Sequence, residues 1–157
     1  MEIRVMEIAG DAMKASVSRV ILEALTDWFG IPESREEYIT DSKGRPFFCA
    51  VDGETPVGFL YLKQTGKDTV ELAVMGVRKE YHRGGIGRAL FEAAKRYACA
   101  AGYSFMQVKT VEEGRYAEYD RTNRFYRSMG FCEFEVFPTL WDAANPCQIY
   151  VMALGRE

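Results

Sequence analysis

The chain contains a single histidine, and its four cysteines include no C-x-x-C pair. Zinc sites in proteins take most of their ligands from closely spaced cysteine and histidine residues, so the sequence predicts no metal site. The cysteines are expected to be free thiols of a reducing compartment. A G-x-x-x-x-G-K-[ST] motif is also missing, which excludes a P-loop nucleotide site.

Long apolar runs and blocks of like charge are missing too. No stretch of about 18 apolar residues could cross a membrane, and the N-terminus lacks the apolar core of a signal peptide. The net charge is −3, so bulk electrostatics would hold neither nucleic acid nor an anionic membrane. We therefore expect a cytoplasmic protein with no nucleic-acid and no membrane partner. Its oligomeric state stays open between a monomer and a homodimer.

The 157 residues show no repeat, no low-complexity segment and no linker, so a single domain over residues 1–157 is predicted. Hydrophobic periodicity and turn residues predict the order β, α, α, β, β, β, α, β, α, β, β. That order is typical of an α+β, or mixed α/β, fold with a mostly antiparallel sheet.

Helix signals set several of the predicted boundaries. The first helix is expected to begin with Asp11 as its N-cap and to run to about Trp28, with Gly30 ending it. A later helix is predicted from Asp120 to Met129. Pro138 to Pro146 is read as a loop between the last two strands.

A glycine-rich turn links an apolar strand, Val70 to Val77, to an amphipathic helix that starts at Gly85. The first amides of a helix have no partner within it, and the helix dipole adds positive charge there, so a diphosphate can bind to them. Glycines let such a group approach the backbone. The turn and its two arginines comprise His82, Arg83, Gly84, Gly85, Ile86, Gly87 and Arg88. The alternative is a flexible connection with solvated arginines.

A dinucleotide fingerprint does not fit this turn. The segment from Gly85 to Leu90 reads G-x-G-x-x-L, so the third glycine is missing, as is the βαβ context.

The segment from His82 to Gly87 resembles the signature R/Q-x-x-G-x-G/A of the GNAT superfamily of N-acetyltransferases, with His82 in the place of Arg or Gln. A second segment, Asn123 to Phe131, resembles the later N-x-x-Y helix of that family, which ends in Gly-Phe. The resemblance implies a central sheet of six to seven strands flanked by about four helices and splayed at the fourth and fifth strands. It also implies acetyl-CoA as the acyl donor, without a metal.

The resemblance assigns roles to individual residues. The backbone of Met75 and Val77 would pair with the pantetheine arm, and the N–H of Met75 or Gly76 would stabilise the oxyanion. The turn from His82 to Arg88 would bind the diphosphate, mainly through backbone amides, which leaves the role of side chain 82 open. Asn123 would hydrogen-bond the pantetheine or the neighbouring backbone.

Tyr126 would act as the general acid that protonates the departing thiolate of CoA, because a phenol near pKa ~10 suits a thiol near ~8.5. The plain alternative is a half-buried aromatic residue. Glu71 resembles the base of the histone-acetyltransferase branch and would deprotonate the amine directly or through water. The alternative there is an exposed strand-end glutamate.

The expected reaction is direct attack of a primary amine on acetyl-CoA through a tetrahedral intermediate, with a small molecule preferred over a protein as acceptor. Aromatic and acidic groups that suit a cationic amine are Trp28, Phe29, Glu33, Glu36, Glu37, Trp141, Asp142 and Asn145. Tyr116, Glu118 and Tyr119 are further groups that could line the site. Two alternatives stay open: a non-catalytic acyl-CoA-binding or sensing module, and a protein N-acetyltransferase.

Overall fold

The computed structural model describes residues 2–155 and contains the predicted order of strands and helices. A single turn of 3₁₀ helix, Lys79–Tyr81, follows the fourth strand. The elements are β1 (Ile3–Glu7), α1 (Asp11–Glu23), α2 (Pro32–Asp41), β2 (Phe47–Asp52), β3 (Thr55–Gln64), β4 (Thr69–Val77), α3 (Ile86–Ala100), β5 (Phe105–Val111), α4 (Ala117–Met129), β6 (Cys132–Asp142) and β7 (Asn145–Ala153).

The seven strands follow the order β1-β2-β3-β4-β5-β7-β6. The pairs β1–β2, β2–β3, β5–β7 and β6–β7 are antiparallel, and β4–β5 is parallel. With four helices, this confirms the predicted mixed α/β class with a mostly antiparallel sheet.

The chain forms two compact units, and the first consists of the segment up to Lys63 together with Ala73–Tyr97. Its core lies where α1 packs on β2 and β3: Ile21 and Leu22 are fully buried, as are Phe47, Phe59 and Tyr61. The Phe47 ring stacks on Phe59 at 5.4 Å and on Tyr61 at 6.1 Å between centroids. Burial of each such aromatic side chain contributes about 1.5–3 kcal/mol, which fixes the sheet that carries the end of β4.

The second unit comprises Gln64–Leu72 and extends from Ala98 onward. Tyr150 of β7 and Met106 of β5 are fully buried in it, and Met129 and Phe131, at the end of α4, are also buried. Gly130 ends α4 with a φ of 105°, a left-handed conformation that favours glycine. The predicted single-domain organisation of residues 1–157 stays a prediction, and residues 1, 156 and 157 lie outside the described residues.

The prediction for the first helix is wrong at both ends. Gly10 occupies the cap position, and Asp11 is the first helical residue, whose carboxylate accepts the N–H of Gly44 at 3.0 Å. Helix α1 ends at Glu23 rather than near Trp28, and Leu25 accepts the N–H of Phe29 in a following turn. Apolar periodicity continued past the end because Leu25 remains buried.

The predicted loop from Pro138 to Pro146 is also wrong, since strand β6 continues to Asp142 and β7 begins at Asn145. The pairing is irregular between Phe137 and Asp142. Strand β6 is the last strand of the sheet, where a proline costs no internal hydrogen bond, so Pro138 does not end it.

Candidate functional site

The predicted diphosphate turn lies in the first unit, directly after β4. The N–H of Arg78 donates to the carbonyl of Val57 at 2.8 Å, which ties the end of β4 to β3. The Tyr81 hydroxyl donates to Asp52 at 2.8 Å, so the 3₁₀ turn is attached to the end of β2. The turn therefore starts from two fixed points.

The backbone of the turn takes two left-handed conformations before the helix begins. Arg83 has a φ of 68° and Gly85 a φ of 78°. The first helical hydrogen bond runs from the N–H of Ala89 to the carbonyl of Gly85 at 3.0 Å. The amides of Ile86, Gly87 and Arg88 precede that bond, so they correspond to the helix amides that lack an intrahelical partner.

Charge and space at the turn suit an anion. Arg83 and Arg88 are exposed, and the first turn of α3 contains no acidic residue. A Cβ at Gly84 would lie 3.3 Å from the carbonyl of Tyr81, and a Cβ at Gly85 would project into open space. A side chain at Gly85 would therefore occupy the open space beside these amides.

Strand β4 presents alternating faces at its end. Gly76 is buried, and a Cβ there would lie 2.9 Å from Leu25 and 3.1 Å from Ile21. Met75 and Val77 are partly exposed on the other face. Glycine at position 76 thus allows β4 to pack closely against Ile21 of α1 and against Leu25, which follows α1.

His82 contacts the same strand. Its Nε2 lies 2.7 Å from the carbonyl of Val77, and its ring meets that of Trp28 edge to face, with 5.9 Å between centroids. Neither contact could be predicted from the sequence, because both partners lie outside the turn.

Glu71 lies in the second unit, in the last of three pairs of the β4–β5 ladder, opposite Gln107. Its side chain is only 12% exposed, and Oε1 lies 3.2 Å from Nζ of Lys109 and accepts a 3.4 Å hydrogen bond from Gln107. The structure therefore places it in an ion pair rather than at an exposed strand end.

Asn123 is fully buried in the second unit. Its amide nitrogen donates to the carbonyls of Val111 and Tyr119 at 2.9 and 2.7 Å, and its oxygen accepts the Tyr150 hydroxyl at 2.6 Å. Of the two partners expected from the resemblance, the structure shows the neighbouring backbone. Both N–H groups of the amide are used within the protein.

Tyr150 extends this network. Its hydroxyl also accepts a 3.1 Å hydrogen bond from Arg127, which pairs with both carboxylate oxygens of Glu113 at 3.0 and 3.1 Å. The network joins α4 to the end of β5 and to β7. Tyr150 was not predicted as a site residue, since alternation along an apolar strand indicates burial but not a partner 27 residues away.

Tyr126 lies on α4, about one turn after Asn123, and is 8% exposed. Its ring packs against Phe125, Phe131 and Tyr150, with centroids 5.7–6.2 Å apart. Burial, and to a lesser extent the neighbouring Tyr119, raises the pKa of the Tyr126 phenol well above its usual range. The side chain therefore stays in its proton-donating form at neutral pH.

Several residues suggested for the amine already have partners within their units. Arg19 binds Glu36 through both carboxylate oxygens, and Lys79 lies over the Trp28 ring at 5.8 Å. Tyr116 and Tyr119 meet edge to face, and Asn145 donates to Asp142 at 2.9 Å. Trp141 is 47% exposed.

Across residues 2–155 we find no group of three His, Cys, Asp or Glu side chains arranged to hold a metal. The helices of these residues are also too short or too polar to span a bilayer.

Comparison with known proteins gives one family match. The model of the Acetyltransferase (GNAT) family matches residues 15–131, more than half of the chain. None of the curated proteins compared with the chain matches it.

Solved structures share the fold. A Desulfovibrio desulfuricans protein assigned to the GNAT family of acetyltransferases superposes with a TM-score of 0.85 at 18% identity, over 98% of this chain and 100% of its own. The ribosomal-protein-S18-alanine N-acetyltransferase of Escherichia coli gives 0.77 at 16%, over 99% and 96%. An aminoglycoside 6′-N-acetyltransferase complexed with coenzyme A gives 0.75 at 17%, over 100% and 99%. At such identities these likenesses show the fold alone.

Proposed function

The chain belongs to the GNAT family of acetyltransferases, and we propose that this acyl-CoA-dependent acetyltransferase transfers the acetyl group of acetyl-CoA to a primary amine on a small molecule. The observation that carries the proposal is the turn from His82 to Arg88, where helix amides, two arginines and an accessible backbone coincide.

The diphosphate of acetyl-CoA would bind to the amides of Ile86, Gly87 and Arg88. The dipole of α3 places roughly half a positive charge there, and Arg83 and Arg88 add two full charges. The residues fit the group because Gly85 leaves the backbone open. The aminoglycoside enzyme with coenzyme A and an acetyl-CoA-bound acetyltransferase from Salmonella typhimurium support the same donor.

The pantetheine arm would pair with the backbone of Met75 and Val77. The β4–β5 ladder comprises Thr69–Glu71 with Phe105–Gln107, so the proposed pairing does not compete with its hydrogen bonds. The N–H of Met75 or Gly76 would stabilise the oxyanion of the tetrahedral intermediate.

Tyr126 would donate its proton to the thiolate as the carbon–sulfur bond breaks. The phenol remains protonated throughout the pH range in which the amine can attack, but its raised pKa also makes it a weaker acid, so the role rests on the position of Tyr126 in the motif. Asn123 would act by holding α4 against the carbonyl of Val111, which fixes the position of Tyr126 three residues later.

Glu71 would take a proton from the ammonium form of the acceptor, directly or through water, so that the neutral amine can attack the thioester. Its carboxylate lies beside Lys109, and a proton relayed to it would weaken that ion pair. We therefore propose Glu71 as a base whose carboxylate is paired with Lys109.

The acceptor is the least constrained part of the proposal. Neighbours in fold include one enzyme named for a ribosomal protein and one named for an aminoglycoside, so they support both kinds of acceptor. The partly exposed aromatic residues Trp28 and Phe29 favour a small cationic amine. The four free cysteines support the proposed cytoplasmic location.

The test is release of free CoA thiol with a panel of small primary amines and N-terminal peptides. Turnover with small amines alone is expected. Turnover with peptides alone would replace the small-molecule acceptor by a protein, and acetyl-CoA binding without turnover on any amine would favour the non-catalytic module. A thermal-shift comparison with NAD checks the donor, since a ligand at one hundred times its Kd adds about 2.7 kcal/mol.

A further inference from the structure

His82 occupies the position where the family signature has Arg or Gln, yet its contacts are internal to the first unit. Nε2 lies 2.7 Å from the carbonyl of Val77, the last residue of β4. Because a carbonyl oxygen only accepts hydrogen bonds, Nε2 must carry the proton and donate it. The ring nitrogen that points back to the strand is thus committed to the protein.

The imidazole ring of His82 also packs against the ring of Trp28. The two rings meet nearly perpendicularly, at 73°, and the ammonium group of Lys79 lies over the Trp28 ring, 5.8 Å from its centroid. Lys79 also pairs with Asp27, the neighbour of Trp28. Imidazole, indole and ammonium groups therefore connect the segment after α1 to the 3₁₀ turn and to the first residue of the turn that precedes α3.

The residue after His82 shows why such a connection is needed. Arg83 has a φ of 68°, and a non-glycine residue in that conformation costs about 1 kcal/mol or more. Such a conformation persists only where the surrounding structure holds it. Arg83 is exposed, so the restraint must come from its neighbours in the chain, and His82 has two tertiary contacts.

We propose that His82 is a positioning residue that holds the diphosphate-binding turn in shape through Val77 and Trp28, and is not itself a ligand of the diphosphate. The inference rests on the proposed binding of acetyl-CoA at this turn. It assigns the open role at position 82 to the imidazole N–H donor and ring edge.

The first experiment uses the fact that this is the only histidine of the chain. A long-range ¹H–¹⁵N spectrum of the free protein at about pH 9, above the usual imidazole pKa near 6.5, should show almost complete protonation on Nε2. The ring protons should be displaced by the Trp28 ring current, and the displacement should disappear in Trp28→Leu. A tautomer mixture and ring shifts like those of free imidazole would overturn the inference.

The second experiment separates the donor from the ring. His82→Gln keeps an N–H donor, whereas His82→Phe keeps a ring edge and loses the donor. Loss of one hydrogen bond corresponds to about a tenfold change, so His82→Phe should raise KM for acetyl-CoA about tenfold with kcat within about threefold. His82→Gln should raise KM less than about threefold on the same scale. Tyr61→Phe, which loses a hydrogen bond to the carbonyl of Tyr38 in the same unit but outside the turn, serves as the matched control with unchanged KM.

A direct ligand would behave differently with pH. An imidazolium that binds the diphosphate would make the KM ratio of His82→Gln to the natural protein rise as pH falls from about 8.5 to 6, because the cation binds the diphosphate more tightly than the neutral ring does. A positioning residue leaves that ratio constant, since both protonation states donate from Nε2. A ratio that rises, or equal KM values for the Phe and Gln variants, would overturn the proposal.

The measurements also distinguish this inference from the proposed function. If the natural protein binds no acetyl-CoA, the proposed function fails, while the tautomer and ring shifts in the free protein still decide the contacts of His82. If His82→Phe does not fold, the spectra of the natural protein and of Trp28→Leu decide the same question.

Discussion

The two regions that supply the candidate residues are built in different ways. The turn from His82 to Arg88 is exposed except at Ile86 and Gly87 and offers mainly backbone groups, which Gly85 leaves open. The α4 region instead buries polar side chains, with Asn123 and Tyr150 hydrogen-bonded to each other inside the second unit.

This difference predicts how each region responds to substitution. A backbone site loses function when the local conformation changes, and most side chains around it can vary. A buried polar network loses stability when one member is removed, because its partners keep their desolvation cost without their hydrogen bonds. The predictions below exploit that contrast, beginning with the largest effect.

Tyr126→Phe should have the largest effect, on turnover alone. Removal of a general acid typically costs about 10²–10⁴ in rate, so kcat should fall by about a hundredfold or more. Since the ring contacts with Phe131 and Tyr150 are kept, acetyl-CoA affinity and melting temperature should change little. Stopped-flow thiol release measures kcat, calorimetric titration measures the affinity, and thermal unfolding measures the melting temperature. Unchanged turnover would remove Tyr126 from the mechanism.

Asn123→Ala should mainly affect stability. The substitution leaves the carbonyls of Val111 and Tyr119 and the hydroxyl of Tyr150 without this partner, and we expect a loss of about 3 kcal/mol in the free energy of unfolding. Urea unfolding measures it. Ser128→Ala, which removes an exposed hydroxyl on the same helix, provides the comparison and should cost far less.

The contrast between the regions also explains what the sequence could predict. The glycine turn has a local signature, and together with the Asn123 to Phe131 segment it identified the family, which is confirmed. The element order is confirmed for the same reason, because apolar periodicity is a local property.

Partners that come from distant segments could not be predicted. Lys109 beside Glu71, Tyr150 beside Asn123 and Trp28 beside His82 are separated by 27 to 54 residues or lie on different strands, and nothing local marks them. The early end of α1 was missed because Leu25 continues the apolar pattern outside the helix.

Each unit also contains one deeply buried thiol, which permits a comparison by pH. Burial raises the pKa of Cys49 in the first unit and of Cys147 in the second to about 11, from 9.0. The unfolded thiols ionise near pH 9 while the folded ones stay protonated. The contribution of these two protonated thiols to the free energy of unfolding is therefore fully present below pH 9 and is lost as pH rises toward 11.

The loss should be about 1–2 kcal/mol per thiol, after allowance for solvent screening. Urea unfolding of Cys49→Ala and Cys147→Ala between about pH 8 and 11 should each show a shallower decline. Cys132→Ala, at an exposed position, should keep the slope of the natural protein. Equal slopes in all three variants would mean that other groups, such as the buried tyrosines, set the alkaline limit.

The smallest expected effect tests whether the backbone at the end of β4 depends on packing. In Gly76→Ala the new Cβ would lie 2.9 Å from Leu25 and 3.1 Å from Ile21, so one of these side chains must move. Because the Leu25 atom is the end of a flexible side chain, we expect a loss of only about 1 kcal/mol in the free energy of unfolding. Gly66→Ala, which has nothing within 4 Å of the new Cβ, is the matched control. If both variants lose the same stability, the close approach at Gly76 is not what requires glycine there. Gly76→Ala should also raise KM for acetyl-CoA, since the same steric crowding would displace the neighbouring Met75 and Val77, which supply the proposed pantetheine contacts.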